Sequence, residues 1–278
     1  MKKVGSLVAS LVLLAATLVS PLTASAESEW KYTALGDSLA VGLGSASNRG
    51  YVSRYRDYAS ADTSAEVELK NLGISGATTT HVLYYLRYSG AFRSAVSSSE
   101  IVTLDIGGND LQVARYWYKA RRCGGADNQD CLRRIAAQLK ANWSAITQEI
   151  LALRGGRNTV IRAIDIYNPV VDEDRAADSW KQDGGLNDFQ VFKPYVDDVN
   201  AHIAATSAAK GIGLARVSQA FNGPTGDEDP SRKGYLSFDG VHPNDAGYEV
   251  IARLLRELGY APLALCAAPG ACVLPPEA

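Results

Sequence analysis

Residues 31–39, Lys-Tyr-Thr-Ala-Leu-Gly-Asp-Ser-Leu, run from an apolar stretch straight into a Gly-Asp-Ser turn, the pattern of a buried strand that feeds a helix start. Four more apolar runs lie at about 66–72, 101–106, 159–166 and 212–217, and they contain the β-branched residues Val67, Val102, Val160 and Ile161. Helical periods separate these runs. The clearest covers about 129–153, with Leu132, Ile135, Leu139, Trp143, Ile146, Ile150 and Leu153 on one face and Gly155-Gly156 as its stop. Others cover about 193–209 and about 244–258, the last stacking Val250, Ile251, Leu254 and Leu258. Strands that alternate with helices predict a parallel sheet covered on both faces, because each parallel crossover needs a helix. The expected fold is therefore a three-layer α/β/α sandwich on a parallel five-stranded sheet, with any ligand beyond the carboxyl ends of the strands at a topological switch point. The polar stretches 172–188 and 223–234 read as loops.

The chain opens Met1-Lys2-Lys3, continues apolar from Val4 to about Val19, and reaches Pro21 and Ala24-Ser25-Ala26. This is the layout of a secretory signal peptide, 1–26, with cleavage expected after Ala26. A membrane anchor is the rival reading, but Gly5, Ser6 and Ser10 interrupt the apolar run and no positive charge follows it. Residues 27–278 are then one α/β domain with a short tail rich in Pro and Ala, exported from the cell. The formal net charge of the whole chain is −2, and losing Lys2 and Lys3 makes the balance more acidic. A mildly acidic domain without a basic patch is not built for nucleic acid or an anionic membrane. No second apolar run is long enough to span a bilayer, and the expected state is a monomer free of integral membrane association.

Four cysteines in an exported chain predict disulfides. Three pairings are possible. Cys123 with Cys131 and Cys266 with Cys272 close the shortest loops, each stabilising by roughly 2–3 kcal/mol by the chain-entropy argument. Neither spacing is C-x-x-C and no histidine lies near, so no metal is expected there. The acidic string Asp227-Glu228-Asp229 could hold calcium or be a solvated turn, and it lacks a known calcium-loop spacing.

Chemistry gathers at four short strings, Gly36-Asp37-Ser38-Leu39, Ile74-Ser75-Gly76, Gly107-Gly108-Asn109-Asp110 and Asp239-Gly240-Val241-His242. Ser38 stands where a strand ends and a helix begins, a place suited to a nucleophile and equally to a helix cap. A serine hydroxyl needs a base whose pKa lies near ~6.5 to take its proton. Asp239 lies three residues before His242, so one turn can present both, the acid orienting the base. The alternative is a loop histidine beside the helix start at Pro243-Asn244. His81, in a Tyr-rich helical stretch with Tyr84, Tyr85 and Tyr88, and His202, in mid-helix, read as structural or surface residues. Donors for an oxyanion are the N–H groups of Ser38 and Gly76 and the side-chain amide of Asn109. Gly76 is also readable as a plain turn glycine, and Asn109 as an Asx-turn.

In these four blocks the chain resembles the SGNH hydrolases, also called GDSL esterases and lipases. Ser38, Gly76, Asn109 and His242 fall on the naming positions and Asp239 on that of the triad acid. The resemblance runs in block order over nearly all of residues 27–278, and it implies a flavodoxin-like fold and cofactor-free hydrolysis of a small-molecule carboxylic ester through an acyl-enzyme on Ser38. The G-x-S-x-G elbow of α/β-hydrolases is absent. Two other functions stay open from sequence. One is a metal-dependent phosphoesterase using Asp37, Asn109, Asp110, Asp239 and His242 as ligands, although the chain has only three histidines. The other is an exported, non-catalytic binding module. Lipid, aryl and acetyl-sugar esters all fit the resemblance. The cluster Arg115-Tyr116-Trp117-Tyr118, with Arg121 and Arg122, is expected to border the cleft or to form a half-buried turn, and the scarcity of long apolar loops points to short acyl chains. Asn142-Trp143-Ser144 is a glycosylation sequon that falls by chance within a helix.

Overall fold

Five strands, β1 (Glu29–Gly36), β2 (Glu66–Asn71), β3 (Ile101–Asp105), β4 (Val160–Ile164) and β5 (Gly213–Ala215), form one sheet in the order β2-β1-β3-β4-β5. Every neighbouring pair is parallel. The computed structural model describes residues 28–263, 265–266 and 272–273, so the signal segment expected at 1–26 lies outside the described residues. From β1 the chain moves outward to β2 and then returns to the opposite side of β1 to form β3. The switch point thus falls between β1 and β3, where a crevice opens beyond the strand ends.

Strand residues alternate between two cores, as a pleated sheet covered on both faces requires. Leu35, Val102, Leu104, Ile161 and Ala163 pack into one, under the helices Thr79–Tyr88, Gly90–Ser98, Gly108–Lys119, Asp130–Arg154 and Asp188–Ala209. Tyr32, Ala34, Ile101, Val160 and Ile164 face the other, under the helices Tyr51–Thr63 and Asp245–Glu257. Trp143 is fully buried in the first core and Tyr248 in the second. The long helix stops as expected: Gly155 takes a left-handed conformation (φ +58°) and its N–H bonds the Leu151 carbonyl.

Two boundaries differ from expectation, and the stretch 223–234 read as a loop holds a 3₁₀ turn, Pro230–Lys233. The helix placed at 193–209 begins at Asp188, because Asn187 and Gln190 close a capping box, and Pro194 is carried inside it. The segment 172–188 contains a short helix, Val171–Arg175. Its acidic sequence has no apolar period. What holds it is tertiary: buried Asp174 accepts from Arg115 and Lys119 of the helix Gly108–Lys119. Asp229 is likewise buried and accepts from the Asp172 and Ser231 N–H groups, while Asp227 pairs with Arg175 and Glu228 with Lys233. The acidic string is therefore an internally paired turn rather than a calcium loop.

Cys123 and Cys131 form a disulfide across the loop between the helices Gly108–Lys119 and Asp130–Arg154. Backbone pairing sets Cys266 opposite Cys272 in a two-stranded ladder, but the bond expected between their side chains lies outside what is described. Asn142 is buried and its amide donates to Thr79 and Thr80 hydroxyls, which gives it a structural place inside the helix.

Candidate active site

Gly36 ends β1 opposite Asp105, the last residue of β3. A Cβ at Gly36 would stand 1.5 Å from Asp105 Oδ1, so only glycine lets the two strand ends meet in this way. The Asp105 carboxylate uses that space to accept the Asp37 N–H at 2.9 Å. Asp37 in turn caps the helix Ser38–Val41, its Oδ1 accepting the Leu39 N–H at 3.0 Å. Two buried carboxyl groups therefore lie directly beneath Ser38. Burial pushes Asp37 up to about 6, against the hydrogen bonds from Leu39 and Asn109. Burial, and next the Asp37 charge, push Asp105 well above the usual carboxylate range.

The loop 236–243 folds back on itself through the Leu236 and Pro243 bridge and the Ser237 N–H to His242 carbonyl bond, with Asp239-Gly240 at its tip. Asn244 anchors the turn to the last helix: its Oδ1 caps Gly247 and its amide donates to the carbonyls of Gly234 and Leu236. Tyr167, just after β4, donates its hydroxyl to the Val241 carbonyl at 2.6 Å and ties the turn to the sheet. So held, Asp239 Oδ2 lies 2.6 Å from His242 Nδ1, and His242 Nε2 lies 2.9 Å from Ser38 Oγ. Asp239 Oδ1 accepts from Ser237, Val241 and His242. Partial burial works to raise Asp239, but the His242 ring and these other donors hold its carboxyl well below the usual range.

Gly76 has a φ of +75° with nothing within 4 Å of an added Cβ. It faces open space, and its N–H takes no partner among the described residues. The Ser38 N–H, first in its helix, is unpaired by position. Asn109 opens the helix after β3 and binds differently from expectation. Its amide donates both to Asp37 Oδ2 at 3.0 Å and to the Ala77 carbonyl at 2.9 Å, so one side chain links the Ser38, Gly76 and Asn109 blocks. Donation to a substrate oxygen would have to share one of these hydrogens. Asn109 makes no Asx-turn.

A cavity of about 330 Å³ opens beside Ser38 and His242, walled by Ile106, Leu111, Ile166, Phe192, Val196 and Val241. Sequence reasoning missed Asp105 and Tyr167, and the one available signal was an acidic residue closing an otherwise apolar strand. The Arg115–Tyr118 cluster does not line this cavity. Arg115 is committed to Glu173 and Asp174, while Tyr116 and Trp117 pack on each other in solvent. His81 closes a helix capping box with Thr78, and His202 bonds Ser144 between two helices. The five residues weighed as metal ligands do not converge, since Asp110 is buried against the Thr79 N–H and hydroxyl. Among the described residues no group of three or more His, Cys, Asp or Glu is placed to hold a metal ion.

Comparison with known proteins bears on the fold and the family. The chain is 28% identical over 233 residues to the spore germination lipase LipC of Bacillus licheniformis, covering 83% of this chain and 96% of that one. Its fold matches the crystal structure of the lipase Lip_vut3 from a goat rumen metagenome with a TM-score of 0.67 at 26% identity, over 83% of this chain and 98% of that one. The fold also matches phospholipase A1 from Streptomyces albidoflavus with a TM-score of 0.53 at 20% identity, over 82% and 98%. Residues 34–250 match the model of the GDSL-like lipase/acylhydrolase family, and the chain belongs to that family of carboxylic-ester hydrolases.

Proposed function

We propose that the protein is an exported serine esterase that cleaves carboxylic esters through an acyl-enzyme on Ser38. The observation that carries this reading is the unbroken line of hydrogen bonds from Asp239 through His242 to Ser38 Oγ. In the first half-reaction His242 Nε2 takes the Ser38 proton as Oγ attacks the carbonyl carbon, and returns it to the leaving alcohol when the ester C–O bond breaks. Water then repeats the sequence on the acyl-enzyme and releases the acid. Asp239 keeps the Nδ1 proton in place and stabilises the imidazolium. The Ser38 and Gly76 N–H groups receive the oxyanion, and Asn109, with both amide hydrogens already engaged, joins by sharing one of them.

The apolar cavity beside Ser38 is the place for the acyl chain. At about 330 Å³ the space exceeds what an acetyl group fills, which supports acyl chains longer than the short ones expected from sequence. The Cys123–Cys131 bond fits an oxidising compartment outside the cell, in keeping with removal of residues 1–26 and a single mature domain.

The test is hydrolysis of p-nitrophenyl esters of graded chain length by residues 27–278, with Ser38→Ala as control. Activity should be higher on medium-chain than on acetyl esters, vanish in the variant and survive a chelator, and a fluorophosphonate should label Ser38. Hydrolysis that persists in Ser38→Ala would overturn the mechanism.

A further inference from the structure

Twelve large apolar side chains are exposed among the described residues, and six of them, Val41, Leu43, Ile74, Val113, Phe238 and Val241, lie within five residues of Ser38, Gly76, Asn109 or His242. Each of the four chemical blocks thus has an exposed apolar residue within it or at most three residues beyond it. Phe238 is the extreme case, at 103% of its reference exposure on the turn that holds Asp239. Scattered exposed hydrophobics need no explanation, but a concentration around one opening does.

The segments that carry these residues border one another. An added Cβ at Gly73 would lie 3.0 Å from the Val41 N–H nitrogen, which sets the Ile74 turn against the Ser38 helix. One at Gly44 would meet His242 Cβ at 2.9 Å and Ser237 Oγ at 3.0 Å, and the Leu43 carbonyl accepts the Tyr248 hydroxyl. Leu43 therefore lies beside the turn of Phe238. Val113 is one helical turn beyond Asn109. Val241 belongs to both the rim and the cavity wall, so apolar surface is continuous from outside the molecule to the space beside Ser38.

The rim is also nearly without charge. Residues 38–44, 72–78 and 236–243 contain no lysine or arginine, and their one acid, Asp239, is spent on His242 and its own turn; in the segment that carries Val113, Asp110 is buried against Thr79 and Arg115 is paired with Glu173 and Asp174. Polybasic attraction to anionic lipid is thus not available here, whereas transfer of apolar side chains out of water is.

From these observations we infer that the rim of Val41, Leu43, Ile74, Val113, Phe238 and Val241 docks the enzyme on the surface of an aggregated neutral or zwitterionic lipid, with Phe238 as the inserted wedge. An ester in that aggregate could then pass its acyl chain into the cavity without crossing water. The inference rests on the esterase reading above and names the physical form of its substrate.

The experiment separates docking from chemistry. Binding is measured by co-sedimentation of the Ser38→Ala protein with phosphatidylcholine vesicles, alone and with Phe238→Ser or Leu43→Ser added. In the active protein the same two rim changes are assayed on p-nitrophenyl butyrate below its solubility limit and on an emulsified triglyceride. Vesicle affinity should fall about 10- to 100-fold with Phe238→Ser, the scale of keeping one large apolar side chain in water, and should be insensitive to salt. Emulsion turnover should fall in parallel while the soluble ester is hydrolysed within about twofold of the parent. Failure of the Ser38→Ala protein to sediment would overturn the inference. So would equal partitioning of parent and Phe238→Ser, binding that requires anionic lipid, or a solution dimer that Phe238→Ser dissolves. A parent protein that sediments but hydrolyses no soluble ester would instead refute the esterase reading and leave docking standing.

Discussion

Replacing Asp37 by asparagine should separate stability from turnover, with a pH signature that can be worked in advance. Burial raises the Asp37 carboxyl from 3.8 to about 6 in the folded protein. Between those values the folded state binds more protons than the unfolded state, so the wild type loses stability as pH rises from about 4 to above 6. A rise of about 2 in pKa, at roughly 1.4 kcal/mol for each tenfold change, gives a loss of about 2–3 kcal/mol. The asparagine side chain has no charge and escapes this loss. It keeps a carbonyl oxygen to cap Leu39, but it turns an N–H₂ toward the Asn109 amide and costs about 1–3 kcal/mol at every pH. The two effects separate by difference. Relative to wild type, Asp37→Asn should gain at least about 2–3 kcal/mol between pH 4 and pH 8, since removing the charge also relieves neighbouring Asp105, whatever the constant offset. Urea denaturation of both proteins at the two pH values reads this directly. An offset that does not change with pH would refute the reasoning that Asp37 is folded away as a high-pKa acid. Turnover should fall at both pH values by roughly 10²-fold, the scale of losing one oxyanion donor, because Asn109 loses one of its two anchors.

Gly36→Ala places a methyl 1.5 Å from Asp105 Oδ1 and 2.6 Å from its carbonyl oxygen, so thermal denaturation should report a loss of about 1–3 kcal/mol or more, with esterase activity falling further than stability alone accounts for. Asp239→Asn should keep the fold, as judged by circular dichroism, and lower kcat by about 10⁴-fold, because the amide favours the wrong tautomer of His242. The paired change Cys123→Ala with Cys131→Ala should cost about 2–3 kcal/mol in urea denaturation, and reduction of the wild type should reproduce most of that loss.

Fold and chemistry differed in how legible they were. Strand runs such as 101–106 and the periodic helix from Leu132 to Leu153 carry their own pattern, the strand because it is buried on both faces and the helix because it buries one face against the sheet. The order of strands, β2-β1-β3-β4-β5, is not written in any one of these patterns, because it depends on how the crossovers of some 29 to 54 residues pack. What escaped was whatever depends on partners distant in sequence. The helix Val171–Arg175 exists because Arg115 and Lys119 reach Asp174, and no local signal records that. Asn109 was legible as a polar residue at a strand end, yet its double anchorage to Asp37 and Ala77 depends on three loops meeting. Of the two readings of the cluster at 115–118 the half-buried turn is the one found: Arg115 goes to ion pairs, Tyr116 and Trp117 to solvent and Tyr118 to the core, a division that composition alone does not record.

The hydrogen bond between Ser38 and His242 joins residues 204 positions apart, and that distance has a temporal meaning. A chain made from its N-terminus presents the nucleophile first and the base almost last. His242 is held by a turn that Asn244 anchors to the helix Asp245–Glu257, and that helix packs against Tyr51–Thr63. No shorter product of translation or proteolysis that ends before residue 242 can hydrolyse an ester by this route. Ester cleavage by this route therefore waits until the last quarter of the chain has been made and folded against the first.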